Sequence, residues 1–145
     1  MKKSLFLLSF LSLFLTGCPP LPQYQYNEIT YKAITRGYSE VIRIKKSETG
    51  YLKIELTHLK NNKEVFKRNY KNRELKYVHK MIEKIDLNTI HQLEIPSKKH
   101  QYDGAMITTI EITTTNDKYI STSFDDDNPP KELKELVNYL RSLTK

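Results

Sequence analysis

The chain has 145 residues, a formal net charge of +7 and 38% hydrophobic residues. That length suits one domain with a modest core, and the single cysteine excludes an intramolecular disulfide. The basic balance favours anionic surfaces as partners or simply a soluble lysine-rich exterior.

Met1-Lys2-Lys3 is a short basic start, and Ser4 to Phe14 is almost wholly Leu, Phe and Ser. These are the n-region and h-region of a secretory signal peptide. The apolar run is too short to span a bilayer, which takes about 20 residues as a helix. It ends in Leu15-Thr16-Gly17-Cys18, which resembles the bacterial lipobox. The resemblance implies a diacylglyceryl group on the Cys18 thiol and cleavage between Gly17 and Cys18, so that residues 1–17 are a lipoprotein signal peptide. A lone thiol in an oxidising compartment also needs a chemical fate, and lipidation supplies one. Two or three acyl chains such as palmitate, at about 0.8 kcal/mol per buried CH₂, anchor far more firmly than one. Loss of the leader removes Lys2 and Lys3, which lowers the charge from +7 to +5. The expected location is the cell membrane or outer membrane, lipid-anchored, with the domain in the periplasm or at the cell surface. An exported chain is not expected to meet nucleic acid.

Residues 18–27 read as the lipidated cysteine and a tether. Pro19, Pro20 and Pro22 favour polyproline II, at about 3.1 Å per residue. Residues 28–145 read as a single α+β domain. Glu28 to Arg36 is rich in β-formers and ends at Gly37. Val41 to Lys46 alternates, as does Tyr51 to Thr57, where Leu52, Ile54 and Leu56 share one face. Glu64 to Tyr70 is a fourth strand, with turns at Ser47–Gly50 and Lys60–Lys63. The period of two predicts an antiparallel meander. Leu75, Val78, Ile82 and Ile85 then recur at helical spacing, with Asn72 as the N-cap. Leu87 to Gly104 has no clear period, which is unusual for so long a span in a compact domain. Ala105 to Thr115 and Lys118 to Phe124 form a hairpin around Asn116-Asp117. The last helix is expected to begin at Pro130, the favoured first helical position, and it carries Leu133, Leu136, Val137, Leu140 and Leu143. The predicted architecture is an antiparallel sheet of about six strands, in the order ββββαββα, with two amphipathic helices on one face.

Asp125-Asp126-Asp127 offers oxygens to a hard cation. It lacks the spacing and glycine of an EF-hand loop, and consecutive strand carboxylates diverge. Acids before a helix N-terminus are explained by the helix dipole, so no metal is expected. The four histidines show no zinc-ligand spacing. His79, at the edge of the first helix's apolar stripe, is expected to pack at the boundary. His91, His100 and Asp103 share the irregular span, which makes an acid–base pair geometrically feasible. No G-x-S-x-G turn, GxGxxG fingerprint or P-loop occurs, so no cofactor is expected. His100, Tyr102, Asp103 and Asp125 are the candidate binding residues.

Ile95-Pro96-Ser97, Tyr102-Asp103-Gly104-Ala105, Ser123-Phe124-Asp125 and Pro129-Pro130 before an amphipathic helix resemble a small-lipoprotein domain common in the Bacteroidota. The resemblance spans roughly residues 90–143. It implies an envelope lipoprotein, offers no catalytic residue, and places the irregular span near the Asp125 corner. The expected function is a non-catalytic binding or accessory module on the envelope, with an envelope protein, a glycan or anionic lipid as partner. The alternatives are a purely structural component and a small hydrolase using His91 or His100 with Asp103.

Overall fold

Thr35 faces Tyr38 across the first hairpin, which leaves Arg36 and Gly37 as a two-residue turn. Gly37 sits at φ 84°, a conformation such short turns require and glycine adopts without strain. The turn joins β1 (Tyr26–Thr35) to β2 (Tyr38–Lys45). β3 (Tyr51–His58) and β4 (Lys63–Asn69) continue the antiparallel meander. A computed structural model describes residues 26–45, 51–58, 63–102 and 104–144, with the side chains of 51–58, 63, 64 and 72 outside that description. The expected signal peptide, Gly17 and Cys18, the tether up to Gln25, the turns after β2 and β3, the alternation over Leu52–Leu56 and the candidate residue Asp103 all lie outside the described residues or side chains.

The protein is α+β, an antiparallel sheet with two helices. After α1 (Asn72–Ile82) the chain runs through two single-turn 3-10 helices, Ile90–Gln92 and Lys99–Gln101, before β5 (Ile107–Thr114). β5 then pairs with β1, so the sheet order is β4-β3-β2-β1-β5-β6. The expected tether to residue 27 is corrected, because Tyr26 and Asn27 already belong to β1. A register shift between Tyr26 and Glu28 breaks the simple alternation, yet Tyr26 is buried with Ile29, Tyr31 and Ala33.

The second hairpin departs from expectation in a way that builds the site. The single strand expected over Lys118–Phe124 is two strands, β6 (Lys118–Ile120) and β7 (Phe124–Asp125), which raises the count from six to seven. Ile120 faces Glu111 but Phe124 faces Thr108, so three residues stand opposite two. Ser121 causes the break. Its N–H donates to the Ile110 carbonyl at 2.8 Å, but the Ile110 N–H donates to the Ser121 hydroxyl at 3.0 Å rather than to a carbonyl. The side chain has replaced one rung of the ladder. The next amide, of Thr122, donates to the Ile90 carbonyl at 3.3 Å, tying the bulge to the irregular span.

Two helix starts also move. The N-cap of α1 is Lys71, not Asn72. Its N–H donates to Glu74 Oε2 at 2.8 Å, so Glu74 satisfies an orphan amide of the first turn. Two hydrogen bonds from Arg68, at 2.9 and 2.7 Å, hold the same carboxylate in place and below the usual glutamate range. The last helix, α2 (Lys134–Ser142), begins four residues after Pro130. Leu133 N–H first closes an i,i+3 turn on the Pro130 carbonyl at 3.0 Å, and only then does Val137 open the α-helical ladder on Leu133.

One apolar cluster joins Ile42, Ile44, Ile110 and Ile112 of the sheet to Val78 and Ile82 of α1 and Leu136, Val137 and Leu140 of α2. Leu87 and Ile90 are also fully buried, so part of the span without period belongs to the core. The Tyr26 hydroxyl donates to the Leu75 carbonyl at 3.4 Å, and burial, then the neighbouring Tyr139, pushes it up to about 12. Among the described residues the hydroxyl of Thr108 is buried with no hydrogen-bond partner, a cost an apolar isostere avoids. Chemical denaturation of Thr108→Val is expected to show a gain of about 1 kcal/mol. Leu140→Ala is expected to lose about 2–5 kcal/mol, as deletions in packed cores do.

Candidate functional site

The bulge at Ser121–Ser123 sets the direction of the two residues after it. Successive strand side chains alternate, so Phe124 enters the core and Asp125 leaves it, and both are fully buried. What covers Asp125 is the segment Ser97–His100. The Ser97 hydroxyl donates to Oδ2, joined there by the Lys99 N–H at 2.9 Å. The His100 N–H donates to Oδ1 at 2.8 Å, and His100 Nδ1 meets the same oxygen at 2.5 Å. Four donors meet the roughly four acceptor sites of a carboxylate, so its capacity is filled. Burial pushes the Asp125 carboxyl up, but the Ser97 hydroxyl, the two amides and the His100 ring outweigh it and hold the group well below the usual aspartate range.

An ionised carboxylate only accepts, so Nδ1 of His100 carries the proton that it donates to Asp125. In the neutral ring Nε2 then keeps its lone pair. The His100 side chain is 8% exposed. This is the orienting half of an acid–base dyad. A nucleophile is missing from the arrangement among the described residues: Ser97, the nearest hydroxyl on Asp125, donates to the carboxylate and not to the imidazole.

Asp126 turns the opposite way. It accepts from the Tyr31 hydroxyl on β1 and pairs with Arg141 of α2 at 3.2 Å, while its carbonyl accepts from Arg141 Nη1 at 3.3 Å. Burial first, then the hydrogen bond to Asp126, pushes the Tyr31 hydroxyl up. Burial likewise raises the nearby Glu40 carboxyl. Adjacent carboxylates thus fasten the end of β7 to three neighbours, the Ser97–His100 segment, β1 and α2. Asp127 is exposed and lies 4.0 Å from Lys99.

Of the candidate residues, His100 and Asp125 come together. Tyr102 is 78% exposed and takes no part in the knot. The acid–base pairing expected within the irregular span takes a different partner in the described residues, because His100 finds Asp125 from β7. His91 is exposed on the other 3-10 turn, with Nε2 2.8 Å from Gln92 Nε2. His79 packs at a boundary as expected, 6.1 Å from the Tyr26 ring and 3.2 Å from Glu83. Among the described residues no group of three or more His, Cys, Asp or Glu side chains is arranged to hold a metal ion. Sequence reasoning missed Ser97, Tyr31 and Arg141 as partners of the aspartates. Only the nearness of the irregular span to the Asp125 corner was visible, through the motifs that flank them.

Compared with family models, curated proteins and solved structures, the chain shows no match in any of the three.

Asp125→Asn removes the charge and turns a donor toward the Ser97–His100 segment. It is expected to cost about 3 kcal/mol in urea unfolding, the scale for hydrogen bonds to a buried charge. A carboxyl depressed in the folded state contributes stability that is fully present above its unfolded value, near pH 4. That contribution is lost as pH falls through the lower folded-state value. The wild-type protein should therefore lose stability below about pH 4, and Asp125→Asn should flatten that part of the profile.

Proposed function

We propose that the protein is a lipid-anchored envelope lipoprotein whose folded part is a non-catalytic binding or accessory module. The observation that carries the anchor is the position of Leu15-Thr16-Gly17-Cys18 straight after a basic start and a short apolar run. Among the described residues no helix is long and apolar enough to cross a membrane, which is compatible with attachment by lipid. The observation that favours a module over an enzyme is the saturation of Asp125: the best-formed polar constellation is engaged in holding the chain together. In the finer fold of this reading, both helices lie on one face of the sheet, in the order ββββαββα extended by the short β7. The opposite face mixes ion pairs, with Glu28 3.6 Å from Arg43 and Lys118 2.9 Å from Glu111, with the exposed apolar side chains of Ile34, Ile107 and Ile120. That face is the surface available to an envelope protein, a glycan or anionic lipid.

A small hydrolase is the second reading, and His100 favours it, since Asp125 orients its ring and Nε2 remains for proton transfer. Asp103 and His91 enter that reading only from the sequence. A purely structural component of an envelope complex is the third.

Intact mass spectrometry of the protein from its native membrane tests the anchor. The expected species begins at Cys18 and carries diacylglyceryl mass; a chain that begins elsewhere, or has an unmodified thiol, contradicts it. His100→Ala separates the first two readings. A module keeps its crosslinked partner in native envelopes, whereas a hydrolase loses turnover with the fold intact.

A further inference from the structure

We propose that the end of the sheet from which the amino-terminal segment departs docks on anionic phospholipid headgroups, with Lys45, Lys71 and Arg73 as the cations that meet the phosphates. This docking rests on the lipid anchor at Cys18 proposed above and gives the anchored domain an orientation. β1 begins at Tyr26, eight residues after Cys18. At no more than about 3.6 Å per residue, even a fully extended segment keeps that end within about 29 Å of the bilayer surface.

Register brings the three cations to this end. Lys45, the last residue of β2, faces Glu28 near the start of β1 and Tyr51 at the start of β3. Tyr51 faces Asn69, the end of β4, and Lys71 and Arg73 follow directly. All three are exposed, and among the described residues none forms a salt bridge. Among the described residues the acids nearby are engaged otherwise: Glu28 lies 3.6 Å from Arg43, Glu74 2.7 Å from Arg68 and Glu111 2.9 Å from Lys118. Asp117 is the exposed exception.

The opposite end carries cations too, but the anchor holds them away. Lys98 and Lys99 lie beside β7, whose Asp125 faces Ile107, and Ile107 faces Ile34 near the far end of β1. The 10 residues of β1 separate the two ends by about 30 Å at roughly 3.3 Å per residue. That is several Debye lengths of about 8 Å at physiological salt. The tethered end is therefore the one that stands nearest an anionic leaflet, and the tether keeps its effective concentration there high.

The test is amine-reactive mass labelling of the protein held through Cys18 in vesicles of phosphatidylethanolamine and phosphatidylglycerol. Protein without native acylation is coupled through the same single cysteine to a maleimide phospholipid, so the orientation is read even where the native anchor fails by mass. Labelling of Lys45 and Lys71 is expected to slow about fivefold relative to the protein in solution, the scale of one basic residue's attraction to such a surface. Lys98 and Lys99 should be unchanged, and the protection should vanish in phosphatidylcholine vesicles and at 0.5 M salt, where the Debye length falls to about 4 Å. Lys45→Glu with Lys71→Glu and Arg73→Glu, all at exposed positions, should abolish vesicle-induced protection over residues 69–73 in amide exchange while anchoring persists. Equal labelling of both ends, or protection that ignores lipid charge and salt, overturns the proposal.

Discussion

The Asp125 carboxylate is the constraint on which the arrangement around it depends. A fully buried charge is tolerated only where donors replace the water it has lost, and here two side chains and two backbone amides do so. None of the four donors is near Asp125 in sequence; the closest is 25 residues away. The carboxylate therefore fixes where the Ser97–His100 segment crosses the end of the sheet, and that segment in turn covers the carboxylate. Loss of either side leaves the other with unsatisfied polar groups, which explains why a two-residue strand and a single 3-10 turn hold definite places.

Ser121 prepares this knot. By replacing a ladder acceptor with its hydroxyl it inserts the extra residue that resets the alternation, so that Phe124 joins the core and Asp125 leaves it. Asp126 then reaches back to Tyr31 and Arg141. The central strand, the last helix and the irregular span are thereby joined through two consecutive residues, Asp125 and Asp126. This is chemistry directed inward, and it is why the most polar constellation among the described residues reads as a fastening first. His100 Nε2 is the part of it that remains open to another role.

Much of the fold was legible in the sequence because it follows from periodicity. Period two marked the meander, and the stripe at Leu133, Leu136, Val137 and Leu140 marked a helix whose buried face is the one expected. What the sequence hid was decided by single hydrogen bonds. A serine that bonds as a side chain rather than as a strand residue split one strand into two. The first helix is capped at Lys71, whose amide is taken up by Glu74. A 3-10 turn delayed the last helix beyond Pro130. Of the site, His100 and Asp125 could each be named but not paired, because their pairing depends on that same bulge. Ser97, Tyr31 and Arg141 carry no local pattern that reveals their partners.

The filled coordination of Asp125 makes the carboxylate the fastening of the Ser97–His100 segment. Amide hydrogen exchange at Lys99 and His100 tests this most directly. If both amides are bound to Asp125, they exchange as slowly as those of the central strands, although they lie in a short surface turn. Exchange at the rate of a free loop would mean that the carboxylate is not so engaged, and the His100–Asp125 pair would then have to be treated as an open acid–base site.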